Sequence, residues 1–565
     1  MYVKVTRSGP RRYVQLVESY RDIEGKVKQR TVATLGRLDQ MDGVLDAVIA
    51  GLMKVTGREA APRAAAPSIT FESSRDLGDL WALHELWRSL GFSDLARVFG
   101  KTRHQIDVEA LIRVMVFNRL CDPESKLGVL RWLQTVAFPG LNSATIKHDH
   151  LLRAMDALID HQQEVDSVVA GLLRPLIDQE LSVVFYDMTT IRTEGESAQA
   201  DDIRQFGMAK EGLIARQIML GVVQTGDGLP IYHEVFTGNT AESPTLLPTL
   251  KQVLGRYPSI RRVILVADRG LLSLDNLEGL SEIRLDSGEC LEFILAVPGR
   301  RYHEFAEVLQ PFHDAHCQTA ETETVGELPW RNLRLVVAHN PHVAKEAQTL
   351  RREKIATLES QASAWVGKLD AQDAGIKGRG KKLSDSGAKA RLYHAVKDAH
   401  LAHIFRVDLK HELFAYEIHQ PALDLAELMD GKLLLVTNTP DLSPQAVVER
   451  YKSLADIERG FRVLKSEIEI GPVYHRLQDR IKAHASICFM ALIVYRIMRM
   501  KLKSANHALS PERALESLRR IQQHRIQING ENPVEGISTI TDEQSSLYQA
   551  LGVKKPTTAQ QLSLL

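Results

Sequence analysis

Cysteine is scarce: the 565 residues hold four, Cys121, Cys290, Cys317 and Cys488, and none belongs to a CxxC pair. That excludes a disulfide framework and the common zinc spacings, and it suits a reducing cytosol. Long apolar runs are missing as well. The greasiest stretch, ICFMALIV at 487–494, is too short to cross a bilayer and reads as a buried helix, and the N-terminal MYVKVTRSGPRRY lacks the apolar core of a signal peptide. No membrane partner is expected. Nor does charge of one sign dominate, since 71 Lys and Arg balance 71 Asp and Glu. Any electrostatic argument for a nucleic-acid partner must therefore be local. No internal repeat is present, and the one biased tract is GREAAPRAAAPS at 57–68.

What remains is a chain with 44% hydrophobic residues, enough for two to four packed domains. Residues 1–56 read as a small basic unit of three strands and a short helix, with the turn signals SGP and EG. Its first 37 residues hold nine Lys or Arg against three acids, Glu18, Asp22 and Glu24, and KVKQRTV sets Lys26, Lys28 and Arg30 on one strand face. That face is either a DNA-backbone contact or ordinary wet surface. Residues 57–72 form a linker, and 73–178 show helical periodicity throughout, a candidate for DNA recognition.

From 179 the pattern becomes α/β. LSVVFYD (181–187) is a continuous apolar strand ending in Asp187, followed by the hairpin ARQIMLGVVQT-GDGLP-IYHEVFTG. A helix, the apolar strand RRVILVADRG with Asp268 at its end, a second helix and the strand LEFILAVP complete a first core segment, 179–298. Residues 299–430 break the pattern with mixed strands and helices and read as an insertion. GKLLLVTNT then resumes the core over 431–505, and 506–565 form a C-terminal helical region and tail.

Acids at the carboxyl ends of buried strands stand where α/β sheets gather ligands, and oxygen donors there suit hard cations. A single strand-end Asp is more often a cap or turn former. Two of them, with Glu458 on a helix over the sheet, make a more specific set. ERYKSLADIERGFRVLKSEIEI (449–470) reads as one amphipathic helix, and its 3.6-residue period puts Tyr451, Glu458, Arg462 and Lys465 on one stripe. Converging carboxylates repel unless protonated or metal-bound, which a Mg²⁺ pair resolves, while Arg462 and Lys465 would grip phosphate oxygens. The bland alternative is an exposed helix with a Glu458–Arg462 pair at i, i+4.

The spacing Tyr451-x6-Glu458-x6-Lys465 resembles the Tyr-Arg-Glu-Lys signature of a large superfamily of bacterial insertion-sequence transposases, the insertion sequence four-like superfamily. FYDMTTI and VADRGLLS are similar to that superfamily's motifs for its first and second catalytic aspartates, and YVQLVESYRDIEGKVKQRTVATLGRLD resembles the opening of a subgroup. The resemblance implies a ribonuclease-H-like core of the Asp-Asp-Glu (DDE) class with an interrupting, largely β insertion. It also implies two Mg²⁺ ions, replaceable by Mn²⁺, and cut-and-paste transposition at terminal inverted repeats of double-stranded DNA by a synaptic homodimer. Asp187, Asp268 and Glu458 would be catalytic metal ligands, and Tyr451 and Lys465 DNA contacts. The chain departs from the signature at 454, where Leu454 replaces the Arg; that phosphate contact is expected to be lost or taken by Arg462. The bacterial nucleoid is the implied location.

Weaker signals compete. His148 and His150 in KHDH lack further ligand-spaced partners. GIKGRGKK matches G-x4-G-K at Gly375, Gly380 and Lys381, but Lys382 replaces the Ser or Thr and no apolar strand precedes it. FYDMTT is also similar to the nucleophile motif of haloacid-dehalogenase phosphatases, whose second acid is here Thr189. That phosphatase is the enzymatic alternative, and a catalytically silent DNA-binding protein is the other.

Overall fold

The computed structural model describes residues 1–41, 44–57, 68–100, 106–178, 180, 182–195, 202–208, 214–268, 271, 273–317, 321–376, 382–408 and 412–557. Most of the 57–72 linker, Arg269 and Gly270 of the second aspartate motif, and Gly380 and Lys381 of the glycine-rich loop lie outside them. The chain divides into two units, 1–71 with 526–534 and 72–525 with 535–565.

In the first unit β1 (Tyr2–Ser8), β2 (Arg11–Arg21) and β3 (Val27–Arg37) form an antiparallel sheet, and α1 (Val44–Val55) follows. The three cations expected to line one face do not stand bare. Lys28 pairs with Asp22 at 3.0 Å, Arg30 with Glu18 at 2.7 Å and Lys26 with Glu24 at 3.5 Å, so each meets one of the three acids of this segment.

The second unit opens with the end of β4 (Ile69–Asp76) and a helical layer: α2 (Gly78–Leu90), α3 (Leu95–Phe99), α4 (Val108–Cys121), α5 (Lys126–Thr135), α6 (His148–Asp160) and α7 (Gln162–Leu173). Local chemistry fixes the boundaries: Asp107 and Ser125 accept backbone N–H groups at the starts of α4 and α5, and Gly91 ends α2 with φ +90°.

The sheet follows with β5 (Ser182–Arg192), β6 (Gln205–Met208), β7 (Ile214–Thr225), β8 (Pro230–Thr237), α8 (Leu246–Arg256), β9 (Val263–Ala267), α9 (Leu274–Glu282) and β10 (Glu292–Ala296). After α10 (Ala306–His316) come β11 (Thr324–Trp330) and β12 (Leu333–His339), then α11 (Pro341–Asp373), α12 (Asp385–Asp398), β13 (Phe405–Val407), β14 (Tyr416–Ile418), α13 (Gln420–Met429) and β15 (Lys432–Thr437). One nine-stranded mixed sheet results, of order β11-β12-β15-β10-β9-β5-β7-β6, with β8 also on β7. β5, β9 and β10 are parallel, while β5, β7 and β8 run as an antiparallel meander.

Three expectations change here. The end of the expected 57–72 linker and the start of the 73–178 helical region are one strand, β4. The segment 299–430 is not wholly separate from the core, because β11 and β12 extend the main sheet through β15. A core of its own begins only farther on, with Ile355, Leu358, Leu392, Val396, Ile404 and Phe405. The region 506–565 is not wholly helical either: α17 (Pro511–Arg519) and α18 (Asp542–Leu551) enclose β16 (Gln522–Ile528) and β17 (Val534–Ile537).

Helices α14 (Pro444–Lys452) and α15 (Ala455–Ser466) lead into α16 (Gln478–Ser504), which runs between α4 and α6 and onto β8. By length and composition α16 could cross a membrane, but 94% of its apolar window is buried inside the protein. It is the core helix that joins the helical layer to the sheet, as His233 of β8, stacked on Phe489 at 4.3 Å, illustrates.

Candidate active site

Asp187 and Asp268 are brought together by strand register. Along the parallel pair β5/β9, Ser182 lies opposite Val263 and the match runs to Tyr186 opposite Ala267. The next residue on each strand is an aspartate. In parallel pairing that sets the two backbones about 5 Å apart, and strand alternation turns both acids to the face opposite Tyr186. Tyr186 bonds Thr245 at 2.7 Å on its own side, where burial pushes its phenol up to about 12. Both aspartates are half-buried. Asp187 does not end its strand, contrary to the sequence reading, because β5 continues to Arg192 on antiparallel pairing with β7, where Asp187 faces Val222. Only its parallel pairing ends there, and that leaves the level beyond Ala267 to the two acids. The Met188 amide donates to Asp187 Oδ1 at 2.7 Å.

The helix expected over 449–470 is two helices. Ser453 and Leu454 keep right-handed dihedrals, but the Leu454 amide bonds back to Tyr451 O at 2.9 Å, three residues instead of four, and the axis breaks. Tyr451 therefore leaves the stripe of Glu458, Arg462 and Lys465. Its hydroxyl donates to Asp268 Oδ1 at 2.8 Å, so the residue expected to touch DNA touches the second acid. Leu454, where the signature has Arg, is 9% exposed and part of the hydrophobic core. The position faces inward, and an apolar side chain is what it accommodates.

α14 lies over β9, β10, β11 and β12, and α15 lies against β5, so the break between them spans the strands that carry the aspartates. On α15, Glu458 and Arg462 are exposed and Lys465 is half-buried. No group of three or more His, Cys, Asp or Glu stands close enough to hold a metal ion among the described residues. Glu458 is thus on the neighbouring helix, and the three carboxylates do not form one ligating group in this arrangement. Asp187 and Asp268 fit a hard divalent cation by donor type and by register. His148 and His150 join no such group either.

Two residues at the site escaped the sequence reading. Gly460, on the inner side of α15, stands so close to β7 that a Cβ there would lie 2.4 Å from Gln224 Nε2. Gln224 is fully buried, and neither of its amide atoms has a hydrogen-bond partner. A glutamine in the apolar run IMLGVVQT and a glycine inside a helix were the available signals.

Comparison with known proteins bears on these residues. The family described as transposase DDE domain matches residues 178–494, more than half of the 565 residues. The family described as IS1634 family transposase, N-terminal domain, matches residues 3–65. No curated protein matches the chain. Six solved chains do; one is the cryo-EM structure of a piggyBac transposase synaptic complex with hairpin DNA, at 8% identity and a TM-score of 0.39, covering 81% of this chain and 82% of that one.

Proposed function

The chain belongs to the DDE-domain transposases of insertion sequences, and we propose that it works by cut-and-paste at its element's terminal inverted repeats, with Asp187, Asp268 and Glu458 as the catalytic carboxylates. As a DNA transposase it is a metal-dependent enzyme of DNA cleavage and strand transfer, which sets the phosphatase alternative aside. The observation that carries the assignment is the register that ends at Tyr186 opposite Ala267 and delivers one aspartate from each strand. The five-strand order β8-β7-β5-β9-β10, with the first three antiparallel and the last three parallel, supports a ribonuclease-H-like reading of the core.

Asp187 and Asp268 would hold Mg²⁺ or Mn²⁺, and Glu458 would join them, which requires α15 to approach the strands. When bound, a pair of such ions supplies charge neutralisation and an activated oxygen for in-line attack on a phosphodiester. The protein's own part is positional. Tyr451 holds Asp268 in one orientation from α14. Arg462 and Lys465, one and two turns beyond Glu458, present cations to the backbone of the cleaved strand. A homodimer holding two DNA ends together follows from the need to cut and join both.

The test uses DNA carrying the gene with its natural flanks, incubated with purified protein and Mg²⁺ or Mn²⁺, with new 3′ ends mapped. Breaks at paired inverted repeats, lost with EDTA and in Asp187→Asn, are expected. Specific binding without breaks would replace this reading with the silent DNA-binding protein, and cleavage by Glu458→Gln at the wild-type rate would remove Glu458 from the set.

A further inference from the structure

A pocket of about 410 Å³ lies away from the aspartates, between the helical layer and the loop that joins α15 to α16. Its walls carry an unusual concentration of buried nitrogen. Lys126, the first residue of α5, is 6% exposed and makes no side-chain hydrogen bond or ion pair among the described residues. Arg119, also 6% exposed, donates to the carbonyls of Glu124, Ile468 and Glu469 and leaves its Nε unpartnered. His484, 5% exposed, sits with Nε2 2.8 Å from Ile470 O, while its buried Nδ1 meets no partner.

Each of these groups opposes the protonated form of the others. Burial lowers Lys126 to about 7, with Arg119 pushing the same way, and the one opposing group is the Cys488 thiol, itself pushed up by burial. Burial, then Lys126, Arg480 and Arg119, take the pocket's His475 down to about 4, and burial with Lys126 and Arg119 lowers His484 well below its ordinary value. The carboxylates on the wall, Glu124 and Glu469, are half-buried and exposed, and neither pairs with Lys126. A buried ammonium beside a buried guanidinium is costly unless an anion faces it. Two helix N-termini add to the field: α5 begins at Lys126 and α6 at His148, and both residues line the pocket.

We infer that this pocket binds a phosphate group, through Lys126, the α5 and α6 N-termini and His484. The chemical source is the phosphodiester backbone of bound DNA, which rests on the proposed function, or a free phosphate. With an anion in place His484, already facing a carbonyl through Nε2, would gain a proton at Nδ1 and donate from it. The pocket is tied to the catalytic strand. The Val473 amide donates to Arg192 O and the Glu194 amide to Val473 O, each at 2.9 Å, so the pocket loop continues the end of β5. From Asp187 to Arg192 that strand rises about 17 Å. That is about five base-pair steps of duplex at roughly 3.4 Å each, a separation a DNA end laid along the strand would span.

The experiment uses the full chain, with Lys126→Met and, at the pocket wall, His148→Ala as an independent variant. Inorganic phosphate is titrated against thermal unfolding in a non-coordinating buffer. A saturable rise in Tm, lost in Lys126→Met and weakened in His148→Ala, is expected. In parallel, binding of duplex DNA from the gene's flanks is measured against salt. A slope of log K on log[salt] shallower by about one in Lys126→Met identifies the DNA backbone as the source. An unchanged slope, with a phosphate response seen in the wild type and lost in Lys126→Met, identifies a free phosphate instead, and a response that survives in Lys126→Met overturns the inference. No phosphate response and an unchanged slope overturn the inference. Wild-type cleavage is scored separately: a chain that cuts DNA but ignores phosphate loses this inference alone, and one that binds phosphate but never cuts loses only the proposed function.

Discussion

The Tyr451 hydroxyl donates a 2.8 Å hydrogen bond to Asp268 Oδ1, joining the helix ahead of Glu458 to the acid at the end of β9. A hydrogen bond to a prospective metal ligand fixes its orientation, and its loss typically costs about 10- to 100-fold in metal affinity or activity. Tyr451→Phe should therefore cleave more slowly and need more Mn²⁺ for half-maximal cleavage, with DNA affinity nearly unchanged. Titrating Mn²⁺ at saturating DNA checks this. A variant with weakened DNA binding and an unaltered metal requirement would return Tyr451 to the role of a DNA contact.

Leu454 raises the opposite kind of question, whether the missing signature Arg can be put back. At 9% exposure, within the same hydrophobic core as Val447 and Phe461, a guanidinium would be buried or forced to reach out past its neighbours. Leu454→Arg is expected to lower stability by about 2–3 kcal/mol and to give no gain in cleavage. Urea unfolding and the cleavage assay together decide it; a stable, faster variant would show that the position can open toward DNA.

Where the sequence spoke through periodicity, it was legible: the apolar strands VVFY and VILVA, the hairpin behind them and the helical stretch after the linker region have the expected character in the structure. The pairing of Asp187 with Asp268 was legible only as two acids after apolar runs, since register depends on contacts between strands 81 residues apart. The break at Ser453 and Leu454 was not legible. Both residues keep helical dihedrals, no Gly or Pro marks the site, and the 3.6-residue period runs through it. The phosphate pocket was hidden for another reason: Arg119, Lys126 and His484 come from three helices, and nothing in their spacing announces that they meet.

Acid should destabilise the fold through its buried histidines. His233, 9% exposed and stacked on Phe489, is lowered by burial to about 3. Between that value and the ordinary 6.5, the unfolded chain binds the proton and the folded one does not, so stability rises with pH across the window and is lost as pH falls through it. At about 1.4 kcal/mol per pH unit, going from pH 6.5 to 5 costs about 2 kcal/mol at this site. His233→Phe keeps the ring stack and removes the proton site. Its urea midpoint should fall less between pH 7 and 5 than that of the wild type, and equal falls would exclude His233 as a source of the acid sensitivity.

Gly460 tests whether the seating of α15 controls Glu458. Alanine is ordinarily about 1 kcal/mol better than glycine inside a helix, so on propensity alone Gly460→Ala would stabilise the protein. The added Cβ, however, would lie 2.4 Å from Gln224 Nε2 and 3.1 Å from Arg496 Nη2, and Gln224 is fully buried. Overpacking of that kind costs about 1–3 kcal/mol, so the clash outweighs the propensity and lifts α15 away from β7. The variant should unfold at a lower urea concentration and, with every carboxylate intact, lose cleavage by more than its stability loss explains, because Glu458 two residues earlier is carried off with the helix. Equal stability with full cleavage would mean that Gln224 yields and that α15 sets nothing at the site.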